Sequence, residues 1–283
     1  MSALMLSMII GVLGAPLLGG LIVGADRIVT ARLQGRIGPP LIQPFYDAVK
    51  LLSKERMVVN VWQGFCAYAY LMAALISVVL FFMQSDLLLI FFVQAVGATF
   101  LVVGALSSTS PFSQVGAHRE LLQVLSYEPL IVLTIVGIYL ETGSFRIEDV
   151  LSWDRPLLFR LPFLFVALGY ALTIKLRKSP FDLSTSHHAH QELVKGVLTD
   201  YSGLNLALTE IAHWYEIVLL LGFCALFWAT HWIGMVVLLL VAYFFEIIVD
   251  NATARMTWRW MIGYVWAMGL ALAAVNLVWL AMG

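Results

Sequence analysis

Four stretches of this chain run for about twenty residues without a charged side chain: Ala3–Ala25, Phe65–Met83, Leu87–Leu106 and Met261–Met282. A helix needs about 20 apolar residues to cross a hydrocarbon core ~30 Å thick. A helix also satisfies its own backbone there, where no water is available to do so. Four further runs are apolar with few interruptions. Leu121–Leu140 carries only Glu128, and Leu161–Ile174 is bounded by Arg160 and Lys175. Leu206–Trp228 carries Glu210, His213 and Glu216, and Trp232–Val249 carries Glu246. The pattern predicts an all-α polytopic membrane protein of about eight transmembrane helices, forming a single integral membrane domain over residues 1–283.

Composition agrees. Hydrophobic residues make up 61% of the chain and charged residues 12%, whereas a soluble domain is nearer half apolar and a quarter charged. The net charge of −1 leaves no polybasic face for nucleic acid. Cys66 and Cys224 are far apart inside apolar runs, which argues against iron–sulfur or zinc ligation by cysteine. The first span follows no positively charged segment and is expected to be a retained anchor. Tryptophans near span ends, such as Trp62, Trp228, Trp232 and Trp258, fit interfacial belts.

Lys and Arg predict the orientation. Thirteen of the sixteen fall in the loops after the first, third, fifth and seventh spans. Arg146, Arg155 and Arg160 are on the other side. The excess predicts that the basic loops are cytoplasmic and both termini outside.

Two of those loops carry more than a connection needs. After Gly38-Pro39-Pro40, which breaks the chain, Leu41, Ile42, Phe45, Val49 and Leu52 share a helical face, with Gln43, Asp47, Lys50 and Lys54 largely on others. This predicts an amphipathic helix lying in the membrane interface; the plainer alternative is an ordinary surface helix. The loop after the fifth span holds Asp182, His187, His188, His190, Glu192 and Asp200. His187 and His190, three apart, would share a helical face. A zinc site needs a further ligand in fixed geometry, which this spacing does not supply. The histidines are expected to hydrogen-bond or pair with carboxylates at a protein interface, and no metal is assigned.

A charge near the bilayer centre costs about 2.5–3.5 kcal/mol on insertion scales, so Glu128, Glu210, Glu216 and Glu246 should face the protein interior. Glu210, His213 and Glu216, spaced by three, are expected to form a polar stripe. Pro129 disturbs the backbone beside Glu128. Such groups either glue helices together or form a chain of protonatable sites. Asp86, between two spans, needs no functional role.

Three stretches together resemble the subunit 1 (H-type) family of respiratory complex I and its hydrogenase relatives. The first is Asp26-Arg27, Arg32, Gln34, Arg36, Gly38-Pro39, Gln43-Pro44, Asp47, Lys50-Leu51 and Lys54-Glu55. The second is Gln123 with Ser126-Tyr127-Glu128. The third is Pro180-Phe181-Asp182-Leu183, Glu192-Leu193-Val194 and Tyr201-Ser202-Gly203. Complex I relatives enclose a quinone chamber near the first cytoplasmic loop. Here the family's acidic run before Glu192 is replaced by Ser184–Gln191, and His213 stands where the family has a glutamate. The string from His187 to Val194 resembles membrane subunits of group 4 energy-converting [NiFe] hydrogenases of the Ech, carbon-monoxide-linked and formate-hydrogenlyase types.

That resemblance implies a membrane anchor and coupling subunit with no redox centre or catalytic residue of its own. The implied partners are hydrogenase large and small subunits, an iron–sulfur subunit and an antiporter-like membrane subunit, with NiFe and iron–sulfur clusters on the partners. The implied location is the inner (cytoplasmic) membrane. The implied proton or ion route is Glu128, Glu192, Asp200, Glu210, His213, Glu216 and Glu246. The implied docking residues are Arg27, Arg32, Arg36, Asp47, Lys50, Lys54, Asp182, His187, His188 and His190. A subunit of a quinone-reducing complex is the alternative within the family, and a stand-alone secondary transporter the alternative outside it. No internal repeat of the transporter kind is visible.

Overall fold

The computed structural model describes residues 7–55, 57, 60–185 and 195–282. His187, His188, His190 and Glu192 lie outside the described residues. The described chain is helical, with one isolated antiparallel bridge between Asp86 and Arg146. Seven helices are long and apolar enough to cross a membrane. They are α1 (Ser7–Leu33), α3 (Val61–Phe82), α4 (Leu87–Leu106), α5 (Pro111–Thr142), α8 (Gly203–Leu226), α9 (Trp232–Ala252) and α10 (Trp258–Met282). Between them come α2 (Gln43–Leu52), α6 (Ile147–Leu151) and α7 (Pro162–Lys175).

The span count differs from the expected eight at α7. Its 14 residues make a rod of about 21 Å at 1.5 Å per residue, short of the ~30 Å core. Arg160 and Lys175 bracket it in sequence, which limits how far an apolar helix can extend. In the opposite sense, α5 begins ten residues before the expected start at Leu121, so Arg119 and Glu120 are helical rather than in a loop.

Two compact units are distinguishable. One comprises Met1–Val79, Val93–Leu121 and Leu183–Val218; the other comprises Leu80–Phe92, Leu122–Asp182 and Leu219–Gly283.

In the first unit the amphipathic helix forms where expected. Pro44 occupies its first turn and Lys50 its last, favourable positions for a residue lacking an N–H and for a cation. Small residues on α1 let α2 and its lead-in pack close. A Cβ at Gly20 would stand 2.5 Å from the Phe45 ring, and one at Gly24 would stand 2.0 Å from the Leu41 carbonyl oxygen. Phe45 meets Trp214 edge-on at 5.2 Å between ring centroids. Ile42, Tyr46 and Val49 point outward and exposed, the apolar face suited to the membrane interface.

The second unit solves two backbone problems. The first N–H groups of a helix have no partner within it. At α7 they are met by Asn276, fully buried on α10: its Oδ1 accepts from the Phe163 and Leu164 N–H groups at 3.0 Å. Its Nδ2 donates to the Arg160 carbonyl at 2.9 Å. Pro129 stands inside α5 and lacks the N–H that would bond to Leu125. The indole Nε1–H of Trp266 donates to that carbonyl at 3.4 Å. Trp266 lies in a π-helical turn, Val265–Leu270. Asp86 has a structural task, accepting from the backbone N–H groups of Leu88 and Leu89 at the start of α4.

Candidate functional site

In the first unit, residues from α1, α2, the start of α8 and Lys195 enclose a pocket of about 320 Å³. Pro44, Ala48, Leu51, Leu206 and Trp214 provide apolar wall; Arg27, Asp47, Lys50, Lys54, Lys195 and Glu210 provide charge. Each helix contributes one face. Asp47, Lys50 and Leu51 follow i, i+3, i+4 spacing, and Leu206, Glu210 and Trp214 are four apart, the separations that stack side chains on a helix. Arg27 Nη1 donates to Asp47 Oδ2 at 2.9 Å, and Gln43 Nε2 donates to Asp47 Oδ1 at 2.9 Å. The five expected residues Arg27, Asp47, Lys50, Lys54 and Glu210 are thus brought together. Arg32 and Arg36 are exposed beyond the α1–α2 turn, where Arg36 donates to the Gln34 side chain.

The expected single stripe on α8 divides. Residues six apart on a helix of 3.6 residues per turn are displaced by about 120°, so Glu210 and Glu216 cannot share a face. Glu210 opens to the pocket, whereas buried Glu216 accepts a hydrogen bond from the Gln94 side chain on α4. His213 Nδ1 lies 3.6 Å from Glu216 Oε2. Nearby in the same unit, Asp200 accepts from the Ser108 hydroxyl, and buried Glu120 accepts from the Ser184 hydroxyl. Tyr201, just before α8, is buried with its hydroxyl facing Gly104, where a Cβ would come within 2.2 Å of it. Burial pushes its phenol pKa up, and Cys66 adds to the shift.

The second unit places its carboxylates among cations. Lys175, at the end of α7, interacts electrostatically with half-buried Glu128 and lies 4.8 Å from the centroid of the Tyr127 ring. Lys178 is 3% exposed and lies 5.1 Å from the Tyr243 ring. Glu246, buried on α9, has Thr173, Lys178 and Asp250 as its polar neighbours. Asp250 Oδ1 accepts from the Ser179 N–H at 2.8 Å. Asp182 is buried, and its carbonyl accepts from Gln123 Nε2 at 2.6 Å.

Sequence reasoning missed four members of these networks: Gln94, Glu120, Lys175 and Lys178. Gln94 sits in a span noted only for lacking charge, and the two lysines served only to orient the chain. The one available signal was Lys175 and Lys178 flanking a helix too short to span. Among the described residues, no group of three or more His, Cys, Asp or Glu side chains is placed to hold a metal ion.

The geometry defines a class: an all-α polytopic membrane protein that keeps ionisable side chains paired within and beside its apolar helices. The chain belongs to the NADH dehydrogenase family, which it matches over residues 5–281. It is 32% identical over 207 residues to hydrogenase-4 component C of Escherichia coli K12; the match takes in 67% of this chain and 64% of that relative's length. It is 30% identical over 323 aligned positions to the H-type membrane subunit, form 2, of the NADH-quinone oxidoreductase of Cereibacter sphaeroides, covering 100% of this chain and 99% of the relative. Its fold superposes with a TM-score of 0.86 on a chain of the membrane-bound sulfane sulfur reductase, an archaeal respiratory membrane complex. That match covers 98% of this chain and 99% of the other, at 21% identity.

Proposed function

We propose that the chain is the non-redox membrane subunit of an energy-converting hydrogenase complex. It docks a soluble [NiFe] and iron–sulfur arm and couples that arm's electron transfer to proton or sodium movement through an antiporter-like membrane partner. The observation that carries this reading is the set of ionisable groups held in helices that need none for folding. Glu216 with Gln94 and His213, Glu128 with Lys175, and Glu246 with Lys178 each have a polar partner. Groups of this kind inside spans mark ion and proton routes. Asp200, Glu210 and Glu192 extend the set, and exposed Arg32 and Arg36 serve docking with the loop of His187, His188 and His190. In this reading the complex sits in the inner membrane with the basic loops cytoplasmic and both termini outside. Similarity to hydrogenase-4 component C supports the hydrogenase assignment.

A quinone-reducing complex is the second reading, favoured by the end-to-end similarity to the Cereibacter sphaeroides NADH-quinone oxidoreductase relative. Metal analysis with mass spectrometry of the mildly solubilised complex separates the two: nickel with iron–sulfur subunits supports the first, flavin without nickel the second. Coupling is tested with Glu128→Gln and Glu216→Gln, which keep shape but cannot carry a proton. Assembly and artificial-donor hydrogen chemistry should persist while ion uptake per hydrogen evolved falls in sealed vesicles. An unchanged ratio in both variants removes these glutamates from the route.

A further inference from the structure

The pocket bounded by α1, α2 and α8 has a charge balance that docking of a soluble arm does not explain. Of its two carboxylates, Asp47 is neutralised by Arg27 and further held by Gln43. That leaves Glu210 against Lys50, Lys54 and Lys195. All three lysines are exposed. The wall between these charges is apolar: Pro44, Ala48, Leu51, Leu206 and Trp214. The other side of the same short helix presents Ile42, Tyr46 and Val49, exposed and apolar. A small helix with an outward apolar face and a lysine-lined pocket behind it offers two surfaces at once, one for hydrocarbon and one for an anion.

We infer that this pocket binds the phosphodiester head group of an anionic phospholipid, with Lys50, Lys54 and Lys195 on the phosphate and the glycerol and first acyl methylenes against Leu51, Leu206 and Trp214. An ammonium meets phosphate as a compact point charge with three donors, and basic groups at a membrane surface attract anionic lipid individually and add together. The lipid, rather than free phosphate, is the occupant because much of the wall is apolar and would gain nothing from an inorganic ion. Glu210 opposes the head group, which makes its charge a brake on binding.

The test uses the intact purified complex, delipidated in mild detergent and reconstituted in nanodiscs of phosphatidylcholine with or without phosphatidylglycerol. Native mass spectrometry counts the phospholipid that stays with the chain. Wild type should retain phosphatidylglycerol in preference to phosphatidylcholine. The triple variant Lys50→Gln/Lys54→Gln/Lys195→Gln should lower that retention about tenfold or more, while Arg155→Gln, a basic residue outside the pocket, should not. Glu210→Gln should raise retention, a gain that a folding defect does not produce. Equal retention of the two lipids, or a triple variant that binds like wild type, would overturn the inference. So would a site that inorganic phosphate fills without any dependence on phosphatidylglycerol.

Discussion

The two units handle buried charge in different ways. In the first, carboxylates meet neutral donors: Glu216 takes a hydrogen bond from Gln94, Asp200 from Ser108 and Glu120 from Ser184. Its lysines stand at the rim of a pocket. In the second, carboxylates meet cations: Glu128 has Lys175, and Glu246 and Asp250 have Lys178 near them, with tyrosine faces beside both lysines. The difference teaches which perturbation each region tolerates. A carboxylate held by an amide or a hydroxyl keeps a partner whether it is charged or neutral, because a hydroxyl both donates and accepts and an amide carries both groups. A carboxylate held by a buried ammonium is tied to the charge of that ammonium, since an uncompensated charge in a low-dielectric interior is costly.

Four substitutions bear on this contrast, in decreasing order of effect. Lys178→Met leaves Glu246 and Asp250 without their cation and should destabilise the assembled chain by about 3–5 kcal/mol. Restoring neutrality with Glu246→Gln in the same chain should recover part of the loss, read as the midpoint of thermal aggregation in detergent. If Lys178→Met costs no more than the next variant, the contrast between the units collapses. Gln94→Leu removes a neutral donor from Glu216 and should cost about 1–3 kcal/mol, with His213 remaining as a neighbour. The same midpoint measures it, and a loss as large as that of Lys178→Met would place both units in one electrostatic regime.

Arg27→Ala breaks a half-exposed ion pair with Asp47 and should cost about 0–1 kcal/mol. Since exposed pairs are screened by salt, its cost should shrink further as ionic strength rises; a cost insensitive to salt would mark the pair as more than a surface contact. Tyr201→Phe should have no effect at neutral pH. Its folded pKa is raised above the unfolded value of about 10, so its contribution is intact below that pH and is lost as pH rises through the folded value. The variant should therefore resist alkaline unfolding better than wild type, as followed by the midpoint across a pH series; equal alkaline sensitivity would mean the phenol does not titrate in this transition.

Much of the architecture was legible because it rests on local rules. Apolar run length finds α1, α3, α4 and α10, and side-chain periodicity after Gly38-Pro39-Pro40 finds α2. Both depend on residues close in sequence. The pocket was half legible: Arg27, Asp47, Lys50 and Lys54 were singled out as one loop cluster, but Lys195 was counted only for topology and Glu210 was assigned to a stripe with Glu216. A stripe spaced by three rotates around the helix, and the next contact depends on which neighbour stands at each angle. The motif residues His187, His188, His190 and Glu192 lie outside the described residues, so their place beside the pocket is left to the docking proposal.

What the sequence determined by itself is the solvent: a chain with this many long apolar runs must put them in a bilayer, and each run must be helical because its backbone has no water to bond. What only the tertiary structure decided is which polar group answers which. The start of α7 is completed by Asn276, more than a hundred residues away, and the carbonyl left open by Pro129 is met by Trp266. Glu216 is answered by Gln94. The physical reason is that a buried polar group must find a partner, but sequence states only that the need exists. Packing brings the partner within about 3 Å, the reach of a hydrogen bond.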